Sequence, residues 1–274
     1  MPDKPAYHYT TLEALHGIIL SRRFRLGNVF FMNDSMEVDW LFGLARQMME
    51  RRDAKRFAPL LDRLRERRLR HIFCGCFSLK KDDLSQWRGY ADDGRGVAIE
   101  VHVAEIARRS RDHVEVAEVI YSEEAQRAHV DRILRDFLAP RKAGGLAERL
   151  GEEGKVAVAH FHLSALAVRC KNPAFGGESE VRLVLQTAHG VATWQYDEEL
   201  DHEFFYGIDL QLGRGTLVPF AQTDLPLEAI RGIWLGPRFG DDMAKTALQL
   251  FLSKQGVPDD VVENLKRSRA SYRG

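Results

Sequence analysis

Glu178, Glu180 and Arg182 stand at alternate positions in the stretch "GESEVRLVL". An extended chain sends alternate side chains to one face, so the two carboxylates and the guanidinium share a side, while Ser179, Val181, Leu183 and Leu185 share the other. Two carboxylates about 7 Å apart along a strand resist joint ionisation unless a cation lies close, and Arg182 is next on that face. The group is a candidate site. It equally describes a solvent-facing edge strand closed by a salt bridge. Gly176 and Gly177, just before it, make a loop able to approach a ligand closely.

Two further clusters fall at the ends of expected elements, where sites are commonly built. In "YHYTT", His8 ends a short strand and Thr10 opens a helix whose first amides are free to hold an anion. A histidine between tyrosines is also an ordinary packing residue. In "CFSLKKDDLSQWRGYADDGRG", Trp87 and Tyr90 are three apart on a helix and share a face, as an aromatic wall or as simple packing. Cys74, Cys76 and His71 are too few ligands for zinc, and His160 and His162 fall on different faces of a helical pattern, so no metal site is expected. Phosphate-loop, dinucleotide-fingerprint, nucleophile-elbow and HExxH patterns are all missing.

The elements that must position these residues come from periodicity and breakers. Thr10 with Glu13 reads as a capping box for a helix carrying Leu12, Leu15, Ile18 and Ile19, and Phe24 to Phe31 reads as extended. A helix capped by Asn33 or Asp34 runs to about Arg70 with a break at Pro59. Strands are expected at 71–77, at "VAIEV" and "VEVAEVIY", then over 181–186, 203–208, 216–220 and 230–235. Helices are expected at "LSQWRGYAD" behind Asp83 and Gln86, at 122–138 and 143–169, from Asp241, and near Pro258. Short strands scattered between helices, without a regular βαβ repeat, predict an α+β fold with a mainly antiparallel sheet flanked by helices. No Pro/Gly/Ser-rich linker divides the chain, so residues 1–274 are expected to form a single domain.

The bulk properties narrow the partners. The 274 residues are 45% hydrophobic and 29% charged, with 40 basic and 40 acidic side chains, so no overall field draws the chain to nucleic acid or anionic lipid. The Arg51–Arg70 stretch is locally basic: a solvated helix face, or a contact for nucleic acid. No apolar run is long enough for a membrane span, and the N-terminus lacks the signal-peptide pattern. With three cysteines read as reduced thiols, a cytoplasmic protein is expected.

In order, "YHYT", "NDSMEV", "CFSLKKDDLSQWRGYADDGRGVAIE", "KNPAFGGESEVRLV" and "SRASYR" resemble a bacterial and phage family described only as a domain of unknown function. That family in turn is similar to the ADP-ribosyltransferase superfamily. The resemblance implies a split antiparallel sheet and NAD as substrate, in a transferase or NAD glycohydrolase acting as a toxin or in phage defence. It implies Glu180 as the carboxylate on the ribose 2′-hydroxyl and Glu178 as the group that orients or deprotonates the acceptor. Arg182 would hold the pair ionised or contact pyrophosphate, Trp87 or Tyr90 would stack on nicotinamide, and His8 with Thr10 would bond the adenosine ribose. Ser78 falls in the middle signature segment. The acceptor macromolecule is not implied. A non-catalytic nucleotide-sensing or partner-binding module of the same fold is the alternative.

Overall fold

The computed structural model describes residues 4–32, 37–65, 72–110, 114–139, 151–186, 194–197, 202–205, 208–213 and 215–272. It is an α+β structure built on a large, mostly antiparallel sheet with helices on both faces.

One half of the sheet starts from β1 (Ala6–Thr10), which pairs along its whole length with β4 (Val97–Val101), from Ala6 opposite Val101 to Thr10 opposite Val97. Next to β4 lies β11 (Ile230–Leu235), which pairs in parallel with β12 (Lys266–Arg267). The other half joins β2 (Arg23–Asn28), β10 (Thr216–Asp224) and β9 (Asp209–Gly213), and a separate antiparallel pair is made by β7 (Trp194–Asp197) and β8 (His202–Phe205).

The halves meet on β3 (Ile72–Ser78). One edge of β3 is paired from end to end with β6 (Glu180–Gln186), which also carries β5 (Glu115–Glu118). On its other edge β1 touches only the Ser78 end, and β2 only Phe73 and Cys74. Opposite Gly75 to Phe77 the two neighbours part, so the sheet forks. Leu26 of β2 leans into this fork, and a methyl group on Gly75 would stand 2.9 Å from its side chain, which explains the glycine in an otherwise apolar strand.

Strand alternation sorts the core. Phe73, Phe77, Val181, Leu183 and Leu185 face a layer formed by α1 (Leu12–Ser21), α5 (Val103–Arg109), α8 (Asp242–Lys254) and α9 (Asp259–Glu263). Cys74 and Val184 face the layer of α2 (Glu37–Asp53), α3 (Ala58–Arg65), α6 (Glu123–Leu138) and α7 (Gly151–Ala167). A smaller cluster packs α4 (Leu84–Tyr90) on β1 through Tyr7, Tyr9, Trp87 and Ala98.

Several local expectations change. The cap of α1 is Thr11, whose hydroxyl accepts from the Ala14 amide, because Thr10 is already committed to β1 and buried. Extended structure ends at Asn28, whose side chain accepts from Phe30 N and turns Val29–Phe31 into a 3-10 turn. The long basic helix breaks at 54–57, ahead of Pro59, which sits in the first turn of α3 where a missing amide hydrogen is tolerated. Residues 33–36, with the expected caps Asn33 and Asp34, and 66–71, with Arg67, Arg68 and Arg70, lie outside the described residues, as do 143–150 of the expected 143–169 helix. Among the described residues no helix is long and apolar enough to cross a membrane.

Candidate functional site

β6 begins at Glu180, and Glu178 precedes it in the 3-10 turn Pro173–Glu178. Between them Ser179 takes a left-handed conformation, φ 48°, which breaks the simple alternation expected for the two carboxylates. The strain is held by bonds on either side: Ser78 Oγ donates to the Glu178 carbonyl at 2.8 Å, and the Leu79 amide to the Ser179 carbonyl at 2.7 Å. Non-glycine residues are kept in this region only where their surroundings dictate it, and this one re-aims Glu178 without losing its neighbour.

What rejoins the two carboxylates is Lys171. Its ammonium donates to Glu180 Oε1 at 3.0 Å and to Glu178 Oε2, and it is 4% exposed. Arg182, fully buried, donates from Nε and Nη2 to Glu180 Oε2, at 3.0 and 2.6 Å, and from Nη1 to the Val168 carbonyl at 2.9 Å. Tyr121 OH accepts the Glu180 amide at 3.0 Å. Two cations and two carboxylates thus form one buried chain, Arg182–Glu180–Lys171–Glu178.

The members of that pair differ in proton affinity. Burial pushes the half-buried Glu178 carboxyl above its ordinary value, with the Glu180 charge adding to this against the pull of Lys171. Burial acts the same way on Glu180, but Arg182 and then Lys171 outweigh it and hold that carboxyl below the ordinary range. Tyr90 beside them is pushed up to about 12 by burial and by the Glu178 charge. The half-buried Cys76 has its thiol pushed well up by its hydrogen bond to Cys74 and by desolvation, and is a poor nucleophile.

These groups line a two-lobed cleft at the fork. An outer lobe of about 440 Å³ carries Glu178, Glu180, Lys171 and the rims Phe31 and Phe175. An inner lobe of about 210 Å³ carries Ser78, Gln86, His8, Tyr7, Tyr9 and Phe77. Gly27, Met32, Cys76, Tyr90 and Glu180 border both and form the neck. A larger hollow, about 640 Å³, opens between α2, α3 and α6, but its charges are largely matched locally, Arg127 with Glu123 and Arg65 with Asp62.

Of the residues singled out by sequence, Glu178, Glu180, Ser78, Tyr90 and His8 come together on this cleft. His8 does so from the opposite face of the sheet to Glu180: it packs on Phe24 and Phe77, its Nδ1 bonds the Cys76 carbonyl at 3.1 Å, and burial lowers its pKa, leaving a neutral ring. Thr10 is not on the cleft lining, and Arg182 stands behind Glu180 rather than in the open. Trp87 is fully buried, edge-on to Tyr9 at 4.8 Å, with its indole N–H on Asp82 at 2.9 Å. It supports the helix that presents Tyr90.

That helix is secured at both ends. Asp83 caps it, accepting from Ser85 N at 2.9 Å and Gln86 N at 3.4 Å. Asp82 also accepts from the Ser268 hydroxyl and, at 2.8 Å, from Arg269 N, while Tyr272 OH donates to Asp93 at 2.8 Å. The "SRASYR" segment therefore wraps the 82–95 stretch. Sequence reasoning passed over Lys171, Tyr121 and Phe175, and no periodic pattern marks any of them. Among the described residues no three metal-ligating side chains converge.

A family profile described as "Protein of unknown function (DUF2971)" matches residues 86–183. That span runs from Gln86 through Tyr90 and Lys171 to Glu178, Glu180 and Arg182, so it takes in the acidic side of the cleft and one aromatic wall, and leaves β1, β2 and all of β3 outside. No curated protein and no solved structure matches the chain.

Proposed function

We propose that the chain cleaves the glycosidic bond between nicotinamide and ribose in NAD, passing the ADP-ribosyl group to an acceptor or to water. One observation carries this reading: a carboxylate pair of opposed proton affinities, Glu178 raised and Glu180 lowered, lines a cleft at the fork of an antiparallel sheet. Environments that push two carboxyls apart are the usual mark of divided acid, base and electrostatic roles. The ADP-ribosyltransferase-like arrangement, a split sheet with E-x-E at the cleft, is the fold-level analogy behind the choice of NAD.

In this reaction the C–N bond breaks with its electron pair leaving on nicotinamide, whose ring loses its positive charge, while oxocarbenium-like charge builds on the ribose. Glu180, kept ionised by Arg182 and Lys171, supplies fixed negative charge at the neck where that charge forms. The acceptor's nucleophile attacks the anomeric carbon and its proton passes to Glu178, whose raised pKa makes it the better base near neutral pH. Tyr90 supplies a ring face beside the neck. The test is nicotinamide release from labelled NAD by the purified protein. Glu178→Gln and Glu180→Gln should each lower it at least about 100-fold; full turnover in both variants would refute the reading.

A non-catalytic nucleotide-binding module is the second reading, favoured by a specific feature: both oxygens of Glu180 are already bonded, Oε1 to Lys171 and Oε2 to Arg182. A carboxylate so satisfied has to give up a partner to meet a ribose hydroxyl. Stabilisation of the protein against heat by NAD, with no nicotinamide released over hours, would decide for this module.

A further inference from the structure

Gln86 sits in the first turn of α4 and is 7% exposed, and its backbone amide is already taken by Asp83. No protein group among the described residues bonds its carboxamide. Fully sealed side-chain polar atoms in the described structure all have partners, so the carboxamide keeps some access to the surroundings, and Gln86 is one of the residues lining the inner lobe. A buried amide left without a partner costs about 1–3 kcal/mol, and such a group is retained where something else completes it.

The lobe limits what that is. Its volume of about 210 Å³ equals that of about seven waters at ~30 Å³ each, room for one small ring and its substituent. Tyr7, Tyr9 and Tyr90 contribute aromatic surface to its lining, beside Met32 and Cys76. A carboxamide offers one acceptor and a donor pair, and its best complement is another primary amide, which accepts and donates in return. The lobe opens through Cys76, Tyr90 and Glu180 into the outer lobe, so a ring held inside presents its bond to the rest of the ligand at the neck.

We propose that Gln86 is a specificity-determining residue that reads the carboxamide of a flat ring held in the inner lobe. If the NAD reading holds, on which the ring's identity rests, that ring is nicotinamide. The lobe then selects a carboxamide over an isosteric ketone, because a methyl ketone accepts a hydrogen bond and donates none.

Calorimetric or NMR titration with free nicotinamide and with 3-acetylpyridine, both neutral and of nearly one shape, tests this. Wild-type protein should bind nicotinamide at least about tenfold more tightly, and in Gln86→Met the two affinities should come within about twofold. Should Gln86→Met fail to fold, Gln86→Leu, which removes both the donor and the acceptor at nearly the same size, should likewise bring the two affinities within about twofold. No nicotinamide binding, or a preference that survives in the folded variant, overturns the proposal. Gln86-dependent nicotinamide binding in a protein that never cleaves NAD would remove the reaction and keep the lobe. Cleavage of NAD with an unchanged preference in Gln86→Met would remove the lobe assignment and keep the reaction.

Discussion

The Lys171 ammonium stands 3.0 Å from Glu180 Oε1, and both side chains are closed to all but a few per cent of solvent. A buried carboxylate between two cations is stable only as a set, because each ion's desolvation is offset by its neighbours. Lys171→Met leaves Glu178 and Glu180 facing each other with Arg182 as the remaining cation. Urea unfolding should show a loss of about 3 kcal/mol, the low end for breaking a buried pair, since Arg182 stays. Adding Glu178→Gln should return at least about 1 kcal/mol of that loss, and strictly additive effects would show that the pair does not interact through Lys171.

The two carboxyls should also separate in pH. A carboxyl raised in the folded state contributes stability below its unfolded value of 4.5 that disappears as pH climbs through the raised value, so wild type should lose stability relative to Glu178→Gln above pH 4.5. A lowered carboxyl behaves oppositely: Glu180 contributes stability above 4.5 that is lost as pH falls through its depressed value. Unfolding free energies of wild type, Glu178→Gln and Glu180→Gln across pH 3 to 8 measure both. Parallel curves for the two variants would contradict the assignment.

Much of this frame follows from local pattern. Val181, Leu183 and Leu185 alternate because one face of β6 meets the core, and Asp83, Ser122 and Asp241 cap their helices through neighbouring amides, so these are visible one segment at a time. The fork is not, because it depends on which parts of β3 are claimed by β1 and β2, strands about 45 to 70 residues away, and pairing over that distance leaves no periodic trace. Lys171 is equally silent: it is one of 40 basic side chains, and only the packed fold reveals it as buried. Ser179 hides for a different reason, since a left-handed turn is usually signalled by glycine, and here a serine is held there by the Leu79 and Ser78 bonds.

His8 predicts a separate acid response. Burial depresses its pKa below 6.5, so it contributes stability present above 6.5 and lost as pH falls through the depressed value. His8→Asn, which can keep a donor toward the Cys76 carbonyl, should fold with a flatter stability curve between pH 6.5 and 5. Wild type and variant with the same slope there would place the ring in water.

Asp82 ties the cleft wall to the 266–272 segment. It has a left-handed φ of 57° and accepts from the Trp87 indole at 2.9 Å, from the Ser268 hydroxyl and from Arg269 N at 2.8 Å. Removing it orphans three donors at once, and α4 then rests on its Asp83 cap and the Tyr9–Trp87 contact. Asp82→Ala should cost about 2–3 kcal/mol. It should also raise amide exchange across residues 84–90 selectively, leaving β4 and β11 protected, because those strands hold each other without α4. Ser268→Ala removes one donor and should reproduce the exchange pattern at smaller amplitude. If exchange rises evenly over the whole sheet, Asp82 supports general stability and does not position Tyr90; if 84–90 stays protected, the strap has no hold on the wall at all.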